Sequence, residues 1–528
     1  MKQSFATPRK ARLRLWGIIM SSLILSQCQV SSESSADFNF EETSVLRLQE
    51  AMASGELSAV QITQHYLDRI EALNPQLRAV IEVNPDALSI AAELDMERSN
   101  GSLRSPLHGI PVMLKDNIDT ADRMHTTAGS YALLDAPTPA KDAFVAAQLR
   151  KSGAILLAKT NLSEWANFRS TSASSGWSGR GGQTRNPYDL ALTACGSSSG
   201  SAVAVAANLT VLAVGTETDG SVVCPSGHTS IVGLKPTLGM VSRSGIIPIA
   251  HSQDTAGPMA RSVTDLALLL TAMVGADEED DITTNMRTRE PLDYTTFLRT
   301  GALSGKRIGV QRQLFGSDAA LDALMEEQLS ILREAGAELV NFEINSRSGF
   351  GDAETTVLLY EFKNDLNNYL YQRGGDMQSL ADIIAYNEAN AEQEMPDFAQ
   401  ELFEQAQQTT GLGASEYLEA LSFSKAYSQS SINALLQELN LNAIMAPTNT
   451  VGWPVNPNGD NTENYIGSSS LAAVSGFPNI TVPAGYIDGF PIGISFMGPA
   501  FSEPTLIGIA YDYEQNRQAR RPPIIPSQ

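Results

Sequence analysis

Apolar positions along the chain follow two different periods. Over residues 58–73 (SAVQITQHYLDRIEAL) they recur at helical spacing, and 86–99 predicts a second helix behind a short strand near 79–83. Residues 109–115 (GIPVMLK) form an unbroken apolar run, which predicts a buried strand. It ends on a charge, Lys115, and leaves through Asp116 and Asn117. A helix is expected over 141–151 and a strand over 154–158. Two Ser/Gly-rich stretches follow, 170–182 and 196–201. The second leads into a helix of small residues, 202–208, and a strand, 211–215. Segments 318–335, 353–373 and 394–440 predict mainly helix. Apolar strands return at 443–446, 480–483 and 491–497. Helices alternating with buried strands imply an α/β protein, here one large domain with a helical insertion between about 315 and 440.

The first forty residues have a different pattern. A basic stretch, 1–14, precedes an apolar run of eleven residues, LWGIIMSSLIL at 15–25, too short to span a bilayer but suited to the core of a signal peptide. Leu25-Ser26-Gln27-Cys28 resembles a lipoprotein processing site, with Gln27 where a small residue is usual. The expected organisation is a signal segment at 1–28, a flexible tether at 29–39 and a domain over 40–525. The mature protein would be exported, as a periplasmic protein or one held to the membrane by an N-terminal lipid.

Composition narrows the function. The 528 residues carry 36 basic and 59 acidic side chains, a formal charge of −23. A body this acidic argues against non-specific nucleic-acid binding and against docking on anionic lipid. Three cysteines (Cys28, Cys195, Cys224) are too few for a disulfide scaffold or a structural zinc site. Five histidines occur, none in an HExxH pair and none after His251.

The Ser/Gly stretches read either as surface loops or as a serine nucleophile surrounded by backbone amides. Neither GxxxxGK[ST] nor a GxGxxG after a strand is present, so phosphate binding lacks its motif. Gly196-Ser197-Ser198-Ser199-Gly200 matches GxSxG, but the acid-then-histidine order of an α/β hydrolase fails without a late histidine. Ser422–Lys425 matches SxxK within a helical stretch, with no KTG after it. A serine hydrolase here needs another base. Lys115 can serve if burial keeps it neutral; the alternative is an ion pair with Asp116 or another carboxylate.

Taken together these pieces resemble the amidase signature family. The resemblance runs over Gly109–Asn117, Gly196–Ala202, Gly215-Thr216-Glu217-Thr218-Asp219-Gly220-Ser221, Gly233–Thr237 and Asp254–Met259, then Gly476–Pro478 and Pro491–Gly493, in family order. It implies a mixed β-sheet covered by helices, and an acyl-enzyme mechanism with no metal or cofactor. It implies Ser221 as nucleophile, Ser197 as bridging serine after a cis peptide, and Lys115 as base. The backbone N–H groups of Thr218, Asp219 and Gly220 would form the oxyanion hole. Four positions depart from the family pattern: Glu217 for Asp, Asp219 for Gly, Ser199 for Gly and Val223 for Arg. Bacterial peptide amidases look similar at these positions and over 161–169 and 176–184, and they remove ammonia from C-terminal carboxamides. The expected partner is therefore a peptide or small-molecule amide, with no nucleic acid and no membrane beyond a lipid anchor. An aryl or aliphatic amidase and an inactive surface-anchored binding protein are the alternatives. Cys195 and Cys224 flank the two serines, as packed thiols or as a disulfide. His125 is expected in a hydrogen-bonded structural role, and Trp177 in either the pocket or the core.

Overall fold

Small residues and buried strands dominate the middle of the chain, and they build its sheet. The computed structural model describes residues 38–289, 292–344, 347–460 and 465–525. The expected signal segment and almost all of the tether lie outside these residues. From Asn39 onward the chain is one compact unit. Its strands are β1 (Val80–Val83), β2 (Pro111–Lys115), β3 (Ile155–Thr160), β4 (Trp177–Ser178), β5 (Gly182–Gln183), β6 (Leu212–Glu217), β7 (Val232–Lys235), β8 (Thr255–Ala260), β9 (Arg307–Gln311), β10 (Glu338–Phe342), β11 (Ala443–Pro447), β12 (Asn479–Ile487) and β13 (Phe490–Met497). Among the described residues, eleven of them form one mixed sheet in the order β1-β3-β2-β6-β8-β7-β12-β13-β11-β9-β10, and β4 pairs with β5. The β3-β2-β6 and β11-β9-β10 neighbours run parallel, and the strands between β6 and β11 are antiparallel. Residues of β2, β3, β6 and β8 are buried throughout, as continuous apolar strands require.

The helices start where the sequence supplies caps. Ser58 and Gln61 form a capping box at the helix Ala59–Leu77, and the Ser262 hydroxyl caps Val263–Met273. The small-residue helix spans Ser199–Ala206, three residues earlier than its composition suggests, and all eight of its residues are buried. Gly200 makes that position possible: a Cβ there would lie 2.3 Å from the Ala79 carbonyl oxygen and 2.4 Å from that of Asn161. The expected helical insertion is only partly helical. β10 joins the sheet edge beside β9, and 394–440 splits into Glu401–Gln408 and Ser415–Glu438. A hydrophobic cluster that includes Trp165, Phe168, Phe362, Leu366 and Phe403 packs the helices of this region against Ile247 and Ile249.

Candidate active site

The parallel pairing of β2 with β6 places two strand ends side by side. Val112 pairs with Leu212 and Leu114 with Val214, so Lys115 ends β2 beside Thr216 near the end of β6. Carboxyl ends of parallel strands are where α/β sheets place ligands. Lys115 is fully buried. Its Nζ lies 2.7 Å from Ser197 Oγ, 2.9 Å from Thr216 Oγ1 and 3.2 Å from the Thr216 carbonyl. Asn117 Nδ2 donates to the same Thr216 hydroxyl at 3.0 Å. Burial lowers the Lys115 pKa to about 7, although the charges of Asp254 and Glu217 pull it back in part. The ion pair with Asp116 does not form. That carboxylate accepts from Thr127 Oγ1 at 2.5 Å and from Gly129 N–H at 3.1 Å, with Arg180 at 3.7 Å.

The Ser/Gly stretch 196–201 and the loop 218–221 lie beside the lysine and are interior, whereas the other Ser/Gly stretch, 170–182, is exposed at Thr171 and Ser172. Ser197, Ser198, Ser199, Ser201 and Ser221 are all buried. The Gly196–Ser197 peptide is cis. Ser198 ties the loops together: its hydroxyl donates to the Thr216 carbonyl at 3.0 Å and accepts from the Thr216 N–H at 3.1 Å, while its N–H donates to the Ser221 carbonyl at 3.1 Å. Cys195 and Cys224 form a disulfide with Cα atoms 6.0 Å apart. It joins the residue two before Ser197 to the residue three after Ser221. Cys224 Sγ also accepts from Asn449 Nδ2 at 3.2 Å and Tyr465 OH at 3.5 Å.

The loop from Thr218 to Ser221 is held by its side chains and carbonyls, which leaves its N–H groups unused. The pairing of Glu217 with Thr255 sets Asp254 next to Thr218, and Thr218 Oγ1 donates to Asp254 Oδ1 at 2.6 Å. Gln253 Nε2 donates to the Thr218 carbonyl at 3.2 Å. Glu217 Oε2 accepts from the N–H groups of Val222 and Val223 at 2.8 and 3.0 Å. The N–H groups of Asp219, Gly220 and Ser221 donate to no protein acceptor among the described residues. Gly220 has φ +77°, in the left-handed region, and a Cβ there would lie 3.1 Å from Ser469 Oγ. Burial raises the Asp219 carboxyl, whose Oδ1 has no hydrogen-bond partner among the described residues. Thus Lys115 and Ser197 are in direct contact. Ser198 links their neighbourhood to Ser221, and Thr218, Asp219 and Gly220 lie on the adjoining loop.

A cavity of about 390 Å³ borders this arrangement at Asn117, Thr216 and Thr218, on the lysine side rather than at the serines themselves. Trp177 is half-buried and meets Phe398 edge-on at 5.0 Å. His125 pairs with Glu82 at 2.8 Å, the expected hydrogen-bonded role. Thr216, Gln253 and Glu354 were not singled out from the sequence. Thr216 and Gln253 lie inside or beside quoted motifs, whereas nothing near Glu354 in the chain marks it.

Comparison with known proteins identifies the family. The Amidase family model matches residues 61–507. A probable amidase of Arabidopsis thaliana is 42% identical over 520 residues, which is 95% of this chain and 96% of that protein. Native peptide amidase from Stenotrophomonas maltophilia shares the fold with a TM-score of 0.89 at 51% identity, covering 92% of this chain and 99% of that one. An amidase family protein from Bacillus anthracis str. Ames shares it with a TM-score of 0.83 at 39% identity, covering 92% of this chain and 93% of that one. The chain belongs to the amidase family, as a single amidase signature domain, and is a hydrolase acting on linear amide C–N bonds.

Proposed function

We propose that this amidase releases ammonia from the C-terminal carboxamides of peptides, with Lys115, Ser197 and Ser221 as its catalytic residues. The observation that carries the mechanism is the 2.7 Å contact between a buried lysine, about half neutral at pH 7, and Ser197 Oγ. Neutral Lys115 takes the Ser197 hydroxyl proton as Ser197 takes that of Ser221. Ser221 Oγ then adds to the amide carbonyl, and the oxyanion faces the N–H groups of the 218–220 loop. Lys115 returns its proton through Ser197 to the leaving nitrogen, the C–N bond breaks and ammonia departs. That protonation matters because an amide anion cannot leave. Water attacks the acyl-enzyme by the same relay run again, freeing the carboxylic acid and Ser221. The peptide specificity draws on the 51% identity to the Stenotrophomonas peptide amidase over nearly its whole length. It also draws on Glu217, Asp219, Ser199 and Val223, the positions shared with peptide amidases. Export with an N-terminal lipid at Cys28 would place such an enzyme where it meets peptides outside the cytoplasm.

The test is ammonia release from an amidated peptide beside glutamine, an aliphatic amide and an anilide, with Ser221→Ala as blank. Release mainly from the peptide amide is expected. Turnover confined to the small amides would remove the peptide specificity, and a Ser221→Ala protein as active as wild type would remove the mechanism.

A further inference from the structure

The helix Phe350–Arg373 lies outside every motif described above, yet it grips the active-site loops. Its acids Glu354, Glu361 and Asp365 are spaced seven and four residues apart, so they share one helical face. That face meets three successive residues of the loop between β7 and β8. Asp365 Oδ2 accepts from the His251 N–H at 3.0 Å and lies 2.8 Å from His251 Nδ1. Glu361 Oε2 accepts from the Ser252 N–H at 2.9 Å. Glu354 Oε1 accepts from Gln253 Nε2 at 2.9 Å, and the same amide nitrogen donates to the Thr218 carbonyl at 3.2 Å. The next residue, Asp254, holds the Thr218 hydroxyl. Burial and the nearby Asp219 charge push the Glu354 carboxyl up to about 8.

We infer that Glu354 is a positioning residue for the oxyanion loop: it holds the Thr218 carbonyl through Gln253, and so keeps the loop N–H groups aimed at the reacting carbonyl. This rests on the oxyanion-hole assignment made under the proposed function. It has a pH consequence. When Glu354 loses its proton, two carboxylates face each other beside the place where negative charge must develop. The other charged or titratable groups around the pair are Glu217 and Lys235 behind Asp219 on β6 and β7, Tyr465, and Asp254 and His251 on the β7–β8 loop, with Glu361 one face-turn along the helix. Burial lowers Lys235 to about 8, the same range, so the wild-type profile alone cannot separate the two groups.

Substitution separates them. The full-length protein and its Glu354→Gln, Glu354→Ala and Gln253→Ala variants are compared for kcat, KM and melting temperature from pH 6 to 10, on the amide that wild type hydrolyses fastest. Glutamine keeps an acceptor for Gln253 and removes the titrating carboxyl. Glu354→Gln is therefore expected within about threefold of wild-type kcat at pH 7.5, without the decline above about pH 8. Glu354→Ala should lose roughly 10- to 100-fold in kcat with KM within about twofold, less than the loss of a whole oxyanion donor. Gln253→Ala should lose at least about fivefold in kcat in the same way, which keeps the test open if Glu354→Ala melts early. Either alanine variant folded and at wild-type kcat would overturn the inference, as would a Glu354→Gln protein as slow as Glu354→Ala or still declining above about pH 8. A wild type inert toward every amide would instead overturn the functional reading, and this inference with it.

Discussion

Lys115→Met isolates the group on which the proposed relay depends. Methionine fills nearly the same volume in the buried site but carries no amine, so the contacts at 2.7, 2.9 and 3.2 Å to Ser197 and Thr216 vanish while packing is retained. The magnitude follows from the ionisation. In water about one lysine in 3,000 is neutral at pH 7; at a pKa of about 7, half are. Burial thus raises the base form about a thousandfold, and removal of a well-placed general base lowers rates by roughly 10²–10⁴-fold. The assay is ammonia release by purified protein from pH 5 to 9. Wild-type kcat/KM should rise about tenfold per pH unit on the acid side and level off between about pH 7 and 8. Lys115→Met should fall at least about a hundredfold and lose this dependence. A folded Lys115→Met enzyme within tenfold of wild type, or a wild-type profile flat from pH 5 to 8, would refute the assignment of Lys115 as base.

Three further outcomes are expected. Ser197→Ala removes the bridging hydroxyl while sparing Lys115 and Ser221, so kcat should drop by several orders of magnitude with circular dichroism unchanged; turnover near wild type would mean that Lys115 reaches Ser221 without it. The same Lys115→Met protein should gain stability at acid pH. Folded Lys115 binds its proton only below about 7, whereas the unfolded lysine keeps it to about 10.4, so native stability rises with pH across that window and is poorest below it. The advantage of Met should reach up to roughly 4 kcal/mol at pH 6 and shrink toward pH 10, and a urea-unfolding difference that grows with pH would contradict it. The Cys195–Cys224 disulfide closes a loop of 29 residues, worth roughly 3–4 kcal/mol by chain entropy. The Cys195→Ala/Cys224→Ala protein should therefore melt earlier and be indifferent to reductant, while wild type shifts toward it when reduced.

What the sequence discloses here is chemistry carried by short, unbroken runs of chain. The strand 109–115 is legible because its apolar residues are consecutive and its last residue is a lysine, which has no place in such a strand unless it is used or paired. The 196–201 stretch and the 215–221 motif are legible because Gly200 and Gly220 mark close approach and left-handed backbone within a few residues of the serines. The edge strand β10 escaped because its residues, Glu338 to Phe342, are mostly exposed or half-buried and show no continuous apolar run. The left-handed stretch Trp165–Asn167 escaped because nothing in Trp165 or Ala166 asks for positive φ. What holds it is long-range: Trp165 packs edge-on against Phe403, with ring centroids 5.8 Å apart.

The deepest omission is the acidic face of Phe350–Arg373. From sequence, Glu354, Glu361 and Asp365 look like the solvated side of an amphipathic helix, the usual fate of three acids at helical spacing. In the structure Glu361 is fully buried, and its neighbours on that face are half-buried against 251–254. No local pattern could distinguish these outcomes. The loop that receives the acids lies about a hundred residues earlier, and its acceptance of them depends on Ile247 and Ile249 packing with Phe362 and Leu366. The catalytic side chains were therefore readable from their own motifs, while the framework that aims them is a long-range property of the fold. Of its parts, the link from Glu354 through Gln253 to Thr218 is the one whose removal should slow the reaction without touching substrate.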